Sequence, residues 1–350
     1  MPLEGAHVTS TIHDVARLAG VSFKTVSNVI NDHPHVSDNT RAKVRAAIDE
    51  LGYQPNLSAR SLRSGRSGVI GLAVPELSFA YFAQLADEVI QAADLRGQVV
   101  LIEQTGGDRA KELAVLRSPR LQLMDGLLFS PLGLGIEDAA LVDIPTPLVL
   151  LGERIFNGPA DHVTMQNVEA ARAATEHLIS KGRRRIAVLG AHEGEVIGSA
   201  GLRLDGYREA LDAAGIPFDE SLVAIAGPWH RANGADATRR LLASGAEFDG
   251  LFAMNDELAL GSMRVLQEMG KVIPDDVAVI GFDDVDEGRF SLPSLTTVDP
   301  GRREIAQTAV DVLLERIAEK SLQRATGVVK RAEPRELLSA FRIVERESTG

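Results

Sequence analysis

The first sixty residues or so repeat one hydrophobic interval three times. Ile12, Val15, Ala16 and Ala19 fall at i, i+3, i+4 and i+7, the face of a short helix. Thr11 and Asp14 form a capping-box-like start, and Gly20 ends the helix. Ser22 can cap a second helix, in which Val26, Val29 and Ile30 point inward while Phe23, Lys24, Ser27 and Asn28 lie on the other side. A third helix follows Ser37, with Val44, Ala47, Ile48 and Leu51 on the same interval and Gly52 behind them. Helices this short share one small core and leave no room for a substrate. A second helix set on a corner, polar side chains outward, has the geometry that enters a DNA major groove. Arg41, Lys43 and Arg45 can hold phosphates beside it.

From Val69 the pattern changes. Short β-branched runs such as "VIGLAVP", "QVVLIEQ", "DGLLFSP", "RIAVLGA", "GLFAMND" and "VAVIGFDD" alternate with amphipathic stretches at 82–95, 170–181 and 259–269. That alternation predicts parallel sheets flanked by helices, divided into two lobes of about four strands each. "FNGPADHVTMQN" suits the crossover between lobes, and "SLPSLTTVDP" reads as the return to the first. Between head and body, Asn56 of "QPNLSARSLRSG" caps a segment of two turns or so that is marginal alone in water. The predicted fold is an N-terminal all-α helix-turn-helix head plus an α/β two-lobed body. Its expected boundaries are 9–55 for the head, 56–67 for the hinge, 68–162 with 292–324 for the first lobe, and 163–291 with 325–346 for the second.

Charge sharpens the division. The chain carries a net −12, yet residues 1–68 hold 8 Lys and Arg against 6 Asp and Glu, and the remainder 29 against 43. Head and body face different partners. No apolar run approaches the roughly 18 residues of a membrane helix, and the opening "MPLEGAHVTSTIHD" lacks the pattern of an export signal. A cytoplasmic location without membrane contact is expected. With no cysteine in the chain, disulfides and thiolate nucleophiles are excluded. No Gly-rich phosphate loop, Gly-x-Ser-x-Gly elbow or His-Glu-x-x-His motif occurs. No catalytic residue, cofactor or metal is therefore expected. The acidic run Asp283, Asp284, Asp286 and Glu287 lacks the spacing and turn glycine of a calcium loop, and His33 with His35 is a weak ligand pair.

The stretch "TIHDVARLAGVSFKTVSNVINDHPHVSDNTRAKVRAAIDELGYQPNLSARSLRSG" resembles the head of the lactose-repressor (LacI/GalR) family nearly residue for residue. The body resembles the periplasmic-binding-protein architecture that this family shares. The resemblance implies that Phe23, Lys24 and Asn28 read base edges, supported by Thr11, Ser22, Thr25 and Ser27. Lys24 can donate to guanine, and Asn28 can pair with adenine through two bonds. It further implies that paired hinge segments, beginning at Asn56, sit in the minor groove with Leu62 as a wedge between bases. An ordinary flexible linker would have the same composition.

Ligands of open α/β sheets bind outside the carboxyl ends of the strands, which places the site between the lobes. Arg203 of "GLRLDGY", Asn255 of "AMNDELALG" and Asp283 of "VIGFDDVDE" match family ligand positions. Trp229 follows "VAIAGP" and can stack on a sugar face, while Phe79 and Tyr81 occupy the loop after strand one. Duller readings stand beside these: Arg203 and Asp283 as a structural ion pair, Trp229 filling a surface pocket, Phe79 and Tyr81 as core, Asn255 as a turn residue. Taken whole, the resemblance implies a repressor that binds palindromic operator DNA as a homodimer and answers to a small effector, a sugar or sugar derivative. A nucleobase effector is the alternative. A solute-binding protein for transport fits the lobes but not the head. The closing "SAFRIVEREST" comes soon after the last predicted strand without a leucine-rich extension, which favours a dimer over a tetramer.

Overall fold

The computed structural model describes residues 10–30, 33–53, 66–327 and 332–350. Its contacts separate two units, Met1–Ser67 and Gly68–Gly350.

The first unit contains α1 (Ile12–Ala19), α2 (Phe23–Ile30) and α3 (Asp38–Leu51). The caps are those the sequence pattern implies. Thr11 and Asp14 exchange side-chain and backbone bonds in a full capping box. Ser22 Oγ accepts from the Thr25 amide at 3.1 Å, and Ser37 caps α3 through the Thr40 amide. Gly20 adopts φ 66°, a left-handed conformation in which a Cβ is strained, so the corner between α1 and α2 needs this residue. Val15, Val26 and Val44 are fully buried, with Ala16, Val29 and Ala47 around them. Each buried valine contributes roughly 1.5–3 kcal/mol, so very few side chains hold the head together.

The second unit alternates strand and helix. Its strands are β1 (Val69–Val74), β2 (Val99–Gln104), β3 (Gly126–Phe129), β4 (Leu148–Leu151), β5 (Asp161–Met165), β6 (Ile186–Ala191), β7 (Val223–Ile225), β8 (Gly250–Ala253), β9 (Ala278–Phe282), β10 (Thr296–Asp299), β11 (Glu336–Ser339) and β12 (Arg342–Val344). The longer helices are α4 (Ala80–Asp94), α5 (Arg109–Leu116), α6 (Asn167–Ser180), α7 (Ser199–Ala213), α8 (Arg231–Ala243), α9 (Asp256–Glu268) and α10 (Arg302–Thr326). One six-stranded sheet runs β11-β5-β4-β3-β1-β2, all parallel. The other runs β12-β10-β9-β8-β6-β7, parallel except for β12 against β10. Central strands such as β3, β4, β8 and β9 are buried along their whole length, because helices cover both faces and no solvent side calls for alternation. Helices α8 and α9 pack closely: a Cβ on Gly261 would lie 2.0 Å from the Arg231 carbonyl oxygen, so only glycine admits that approach.

The lobe boundaries differ from those expected at 163, 292 and 325. Strand β5 continues in the first sheet to Met165. The segment at 292–299 does not return to the first lobe, because β10 pairs with β9, Thr296 opposite Ile280. The return comes after Asp299, where α10 packs on β3, β4 and β5 through Ile305, Ala309, Leu313 and Ile317. The last segment is itself split: β11 adds to β5 in the first sheet and β12 to β10 in the second. The two terminal strands carry too few apolar residues for their pattern to distinguish the sheets.

The chain thus passes between the lobes three times, after β5, after β10 and after β11, and the three passages are bonded together. Ser339 Oγ donates to Pro300 O at 2.7 Å, and Gln166 Nε2 donates to Ser339 O at 2.8 Å.

Candidate effector cleft and DNA-facing head

In the head, Phe23 and Lys24 at the start of α2 are exposed, as is Ser22 before them, while Thr25, Ser27 and Asn28 are half-buried along the same helix. Val26 and Val29 turn inward between them. The Phe23 ring lies 5.7 Å from that of His13 on α1. Thr11 is exposed but its hydroxyl is engaged, donating to Asp14 Oδ2 at 2.6 Å. Arg41 donates to the His33 carbonyl at 3.2 Å. Asn56 and Leu62 lie outside the described residues.

In the body, the carboxyl ends of both sheets open on one cavity of about 550 Å³. Phe79, Tyr81, Arg203, Trp229 and Asp283 all line it; Asn255 does not. Phe79 caps α4 and Tyr81 lies in its first turn rather than in a loop, because the helix begins sooner after β1 than the sequence pattern indicates.

Arg203, in the middle of α7, is 2% exposed and makes three side-chain hydrogen bonds. Its Nε donates to Asn167 Oδ1 at 2.8 Å, Nη1 to the Met254 carbonyl, and Nη2 to Met165 Sδ at 3.3 Å. Asp283 Oδ1 stands 3.9 Å from Nη2. The guanidinium also lies over the Phe282 ring and 5.3 Å from that of Trp229. Asp283 holds φ 113° immediately after β9, a strained conformation for a non-glycine residue. Arg302, at the start of α10, donates to its carbonyl at 2.8 Å and so supports that backbone from the first lobe. Burial pushes the Asp283 carboxyl up to about 7, against the pull of Arg203 and Arg302.

Trp229 is fixed at both ends. Its Nε1 donates to Gly190 O at 2.9 Å, and its carbonyl accepts from Asn255 Nδ2 at 3.1 Å. Asn255 is completely buried, and its Oδ1 caps α9 by accepting from the Leu258 amide at 2.9 Å. Asn255 is thus set beside the cavity rather than in its lining, its side chain bonded once to the start of α9 and once to the loop that presents Trp229.

The cleft also gathers residues that the sequence reading missed: Glu76 after β1, Glu153 and Arg154 after β4, His192 and Glu195 after β6, and His230 after β7. Position at a strand's carboxyl end was the available signal. His192 Nδ1 meets Glu195 Oε2 at 2.7 Å, which raises the imidazole above its ordinary range. The lobes meet here through several contacts: Ser199 Oγ donates to Glu153 Oε2 at 2.8 Å, the Ala80 amide to Glu257 Oε1 at 3.1 Å, and His230 stands 3.5 Å from Glu76. The arrangement can hold a molecule with hydroxyls at its edge and an apolar face, pressed between aromatic rings.

Comparison with known proteins accounts for both units. Residues 11–56 match the model for bacterial regulatory proteins of the lacI family, and residues 175–349 that for a periplasmic binding protein-like domain. The ribose operon repressor of Escherichia coli (strain K12) is 34% identical over 317 residues, covering 90% of this chain and 95% of the repressor. A structure described as a LacI-family transcriptional regulator from Sanguibacter keddieii DSM 10542 is 57% identical with a TM-score of 0.74, over 81% of this chain and 99% of that one. The complex of the transcriptional regulator CelR with cellobiose is 30% identical with a TM-score of 0.70, over 97% and 99%. No helix among the described residues is long and apolar enough to cross a membrane. A head and a body that both match, in relatives covered almost end to end, mean that this chain belongs to the LacI family of DNA-binding transcriptional regulators.

Proposed function

We propose that this protein represses transcription by binding a palindromic operator as a homodimer, and that a sugar or sugar derivative held between its lobes controls that binding. The cleft carries the reading: a cavity of about 550 Å³ at the carboxyl ends of two sheets brings Arg203, Asp283 and Trp229 together. The CelR structure, with cellobiose bound, is a relative of the same architecture. Bases are read by Phe23, Lys24 and Asn28, with Thr11, Ser22, Thr25 and Ser27 supporting them and Asn56 and Leu62 acting at the operator centre. A two-fold protein matches a two-fold site. The effector shifts operator affinity only by the difference between its affinities for the DNA-bound and free states. The protein acts in the cytoplasm and catalyses no reaction.

The test is selection of operator sequences from a random duplex pool, followed by anisotropy titration of the selected duplex with and without candidate metabolites. A palindromic consensus whose affinity changes about tenfold or more with one metabolite is expected. Equal binding to consensus and bulk DNA at moderate salt would reject the reading.

A further inference from the structure

Asparagine is followed by glycine twice in this chain, at Asn157–Gly158 and at Asn233–Gly234. The pairing matters chemically because glycine has no Cβ to shield its amide nitrogen, which stands within reach of the preceding carboxamide carbon. The fold treats the two pairs differently. Asn233 lies in α8, where the Gly234 amide donates to the His230 carbonyl at 3.0 Å. Gly234 is also clamped against α9, since a Cβ there would meet the Leu258 carbonyl oxygen at 2.5 Å. Asn157 is exposed between β4 and β5, in neither helix nor strand, at φ 50°. Its side-chain amide and the Gly158 N–H bond to no group among the described residues.

The same residue holds a joint. Its backbone amide donates to Glu336 Oε1 at 2.5 Å, and the other oxygen of that carboxylate meets Nδ1 of buried His162, also at 2.5 Å. The second ring nitrogen of His162 meets the Gly152 carbonyl. The turn from Gly152 to Asn157 is thus pinned at one end to β5 and at the other to β11, and it carries Glu153 and Arg154 of the cavity lining.

We propose that Asn157 is a site of spontaneous deamidation, a slow covalent change that loosens this turn. The Gly158 nitrogen gives its proton to solvent base and forms a bond to Asn157 Cγ. The bond from Cγ to the side-chain nitrogen breaks, and ammonia leaves with a proton from water. Water then opens the cyclic imide at either carbonyl, leaving aspartate or isoaspartate at 157; nothing is oxidised or reduced. Either product sets a second carboxylate beside Glu336, and isoaspartate also reroutes the backbone through the side chain, so the bond from residue 157 to Glu336 weakens.

The test is ageing of the full chain at mildly alkaline pH, followed by peptide mapping with mass spectrometry and enzymatic methylation of isoaspartate. Conversion, a gain of about 1 Da, is expected at Asn157 roughly tenfold or more faster than at Asn233, because α8 has to open before Gly234 can react. In urea the two sites are expected to convert at similar rates. Asn157→Gly, whose glycine accepts the same φ, is expected to abolish the signal. Aged wild type and fresh Asn157→Asp are expected to melt about 2 °C or more below fresh wild type, and aged Asn157→Gly is not. Equal rates at both sites in the folded chain overturn the proposal, as does a gap just as wide in urea, or an Asn157 that stays amide throughout. Conversion with no fall in melting temperature overturns the loosening of the turn.

Discussion

The guanidinium carbon of Arg203 lies 3.6 Å from the centroid of the Phe282 ring. That contact joins the middle of α7 to the last residue of β9, immediately before Asp283. One buried cation therefore packs against the strand that presents the acidic cleft residue and also bonds the carbonyl of Met254 after β8. Replacing Arg203 with alanine removes the cation from Asp283 and leaves buried acceptors unpaired. A stability loss of about 3 kcal/mol in urea denaturation is expected. Lysine keeps the charge but not the planar fork, and is expected to recover less than half. Full stability in Arg203→Ala would show that the pair does not hold the second lobe together.

Asp283 sets a pH dependence. Its ordinary value is 3.8 and the fold raises it to about 7. Between those values the folded protein keeps a proton that the unfolded chain has released, so stability falls as pH rises through this window and stays at the lower level above it. At roughly 1.4 kcal/mol per unit the loss is at most about 4 kcal/mol. In Asp283→Asn this component of the pH profile disappears. Effector affinity runs the other way, rising with pH through about 7 if sugar hydroxyls donate to the ionised carboxylate. Calorimetry at pH steps on wild type and Asp283→Asn measures both trends, and a flat wild-type affinity would remove Asp283 from ligand contact.

His192 and Glu195 give a spectroscopic check on the cleft. Glu195, hydrogen-bonded to His192, raises the imidazole, so that contribution is present below the ordinary 6.5 and fades as pH climbs through the higher folded value. Glu195→Gln is expected to bring the His192 titration down, read from its ring protons by NMR. An unmoved titration would mean that the pair does not form in solution.

Asn255 separates a capping role from a ligand role. With its side chain bonded to the Leu258 amide and the Trp229 carbonyl, Asn255→Ala is expected to cost roughly 1–2 kcal/mol of stability. Effector affinity is expected to change only modestly, through loosening of the Trp229 loop. Loss of all effector binding in a fully stable protein would instead make Asn255 a ligand contact.

In the head, Asn28→Ala is expected to weaken specific operator binding by about 1–3 kcal/mol while leaving binding to random duplex nearly unchanged. Competition anisotropy at fixed salt distinguishes the two. Equal losses on both duplexes would make Asn28 a phosphate contact.

Much of this was legible in the chain because its signals are local. The intervals at Ile12–Ala19 and Val44–Leu51 lie within single helices, and Thr11, Ser22 and Ser37 act on amides three residues away. What stayed hidden depends on partners far apart in sequence. The sheet that β10 joins is decided by its pairing with β9, and the separate fates of β11 and β12 by pairing with β5 and β10. Asn255 reads from the sequence as a ligand or turn residue, and only the fold shows its amide bonding the Trp229 carbonyl, 26 residues earlier in the chain. Glu153 and His192 bear no motif, and only the ends of β4 and β6 bring them to one cavity.

The knot at Ser339 has a mechanical meaning. Three passages bonded side by side behave as a stiff strap: they let the lobes swing about one line and resist shear or twist. Whatever the occupant of the cleft does to the lobes is thereby channelled into a single hinge angle, a quantity that the two halves of a symmetric assembly can share.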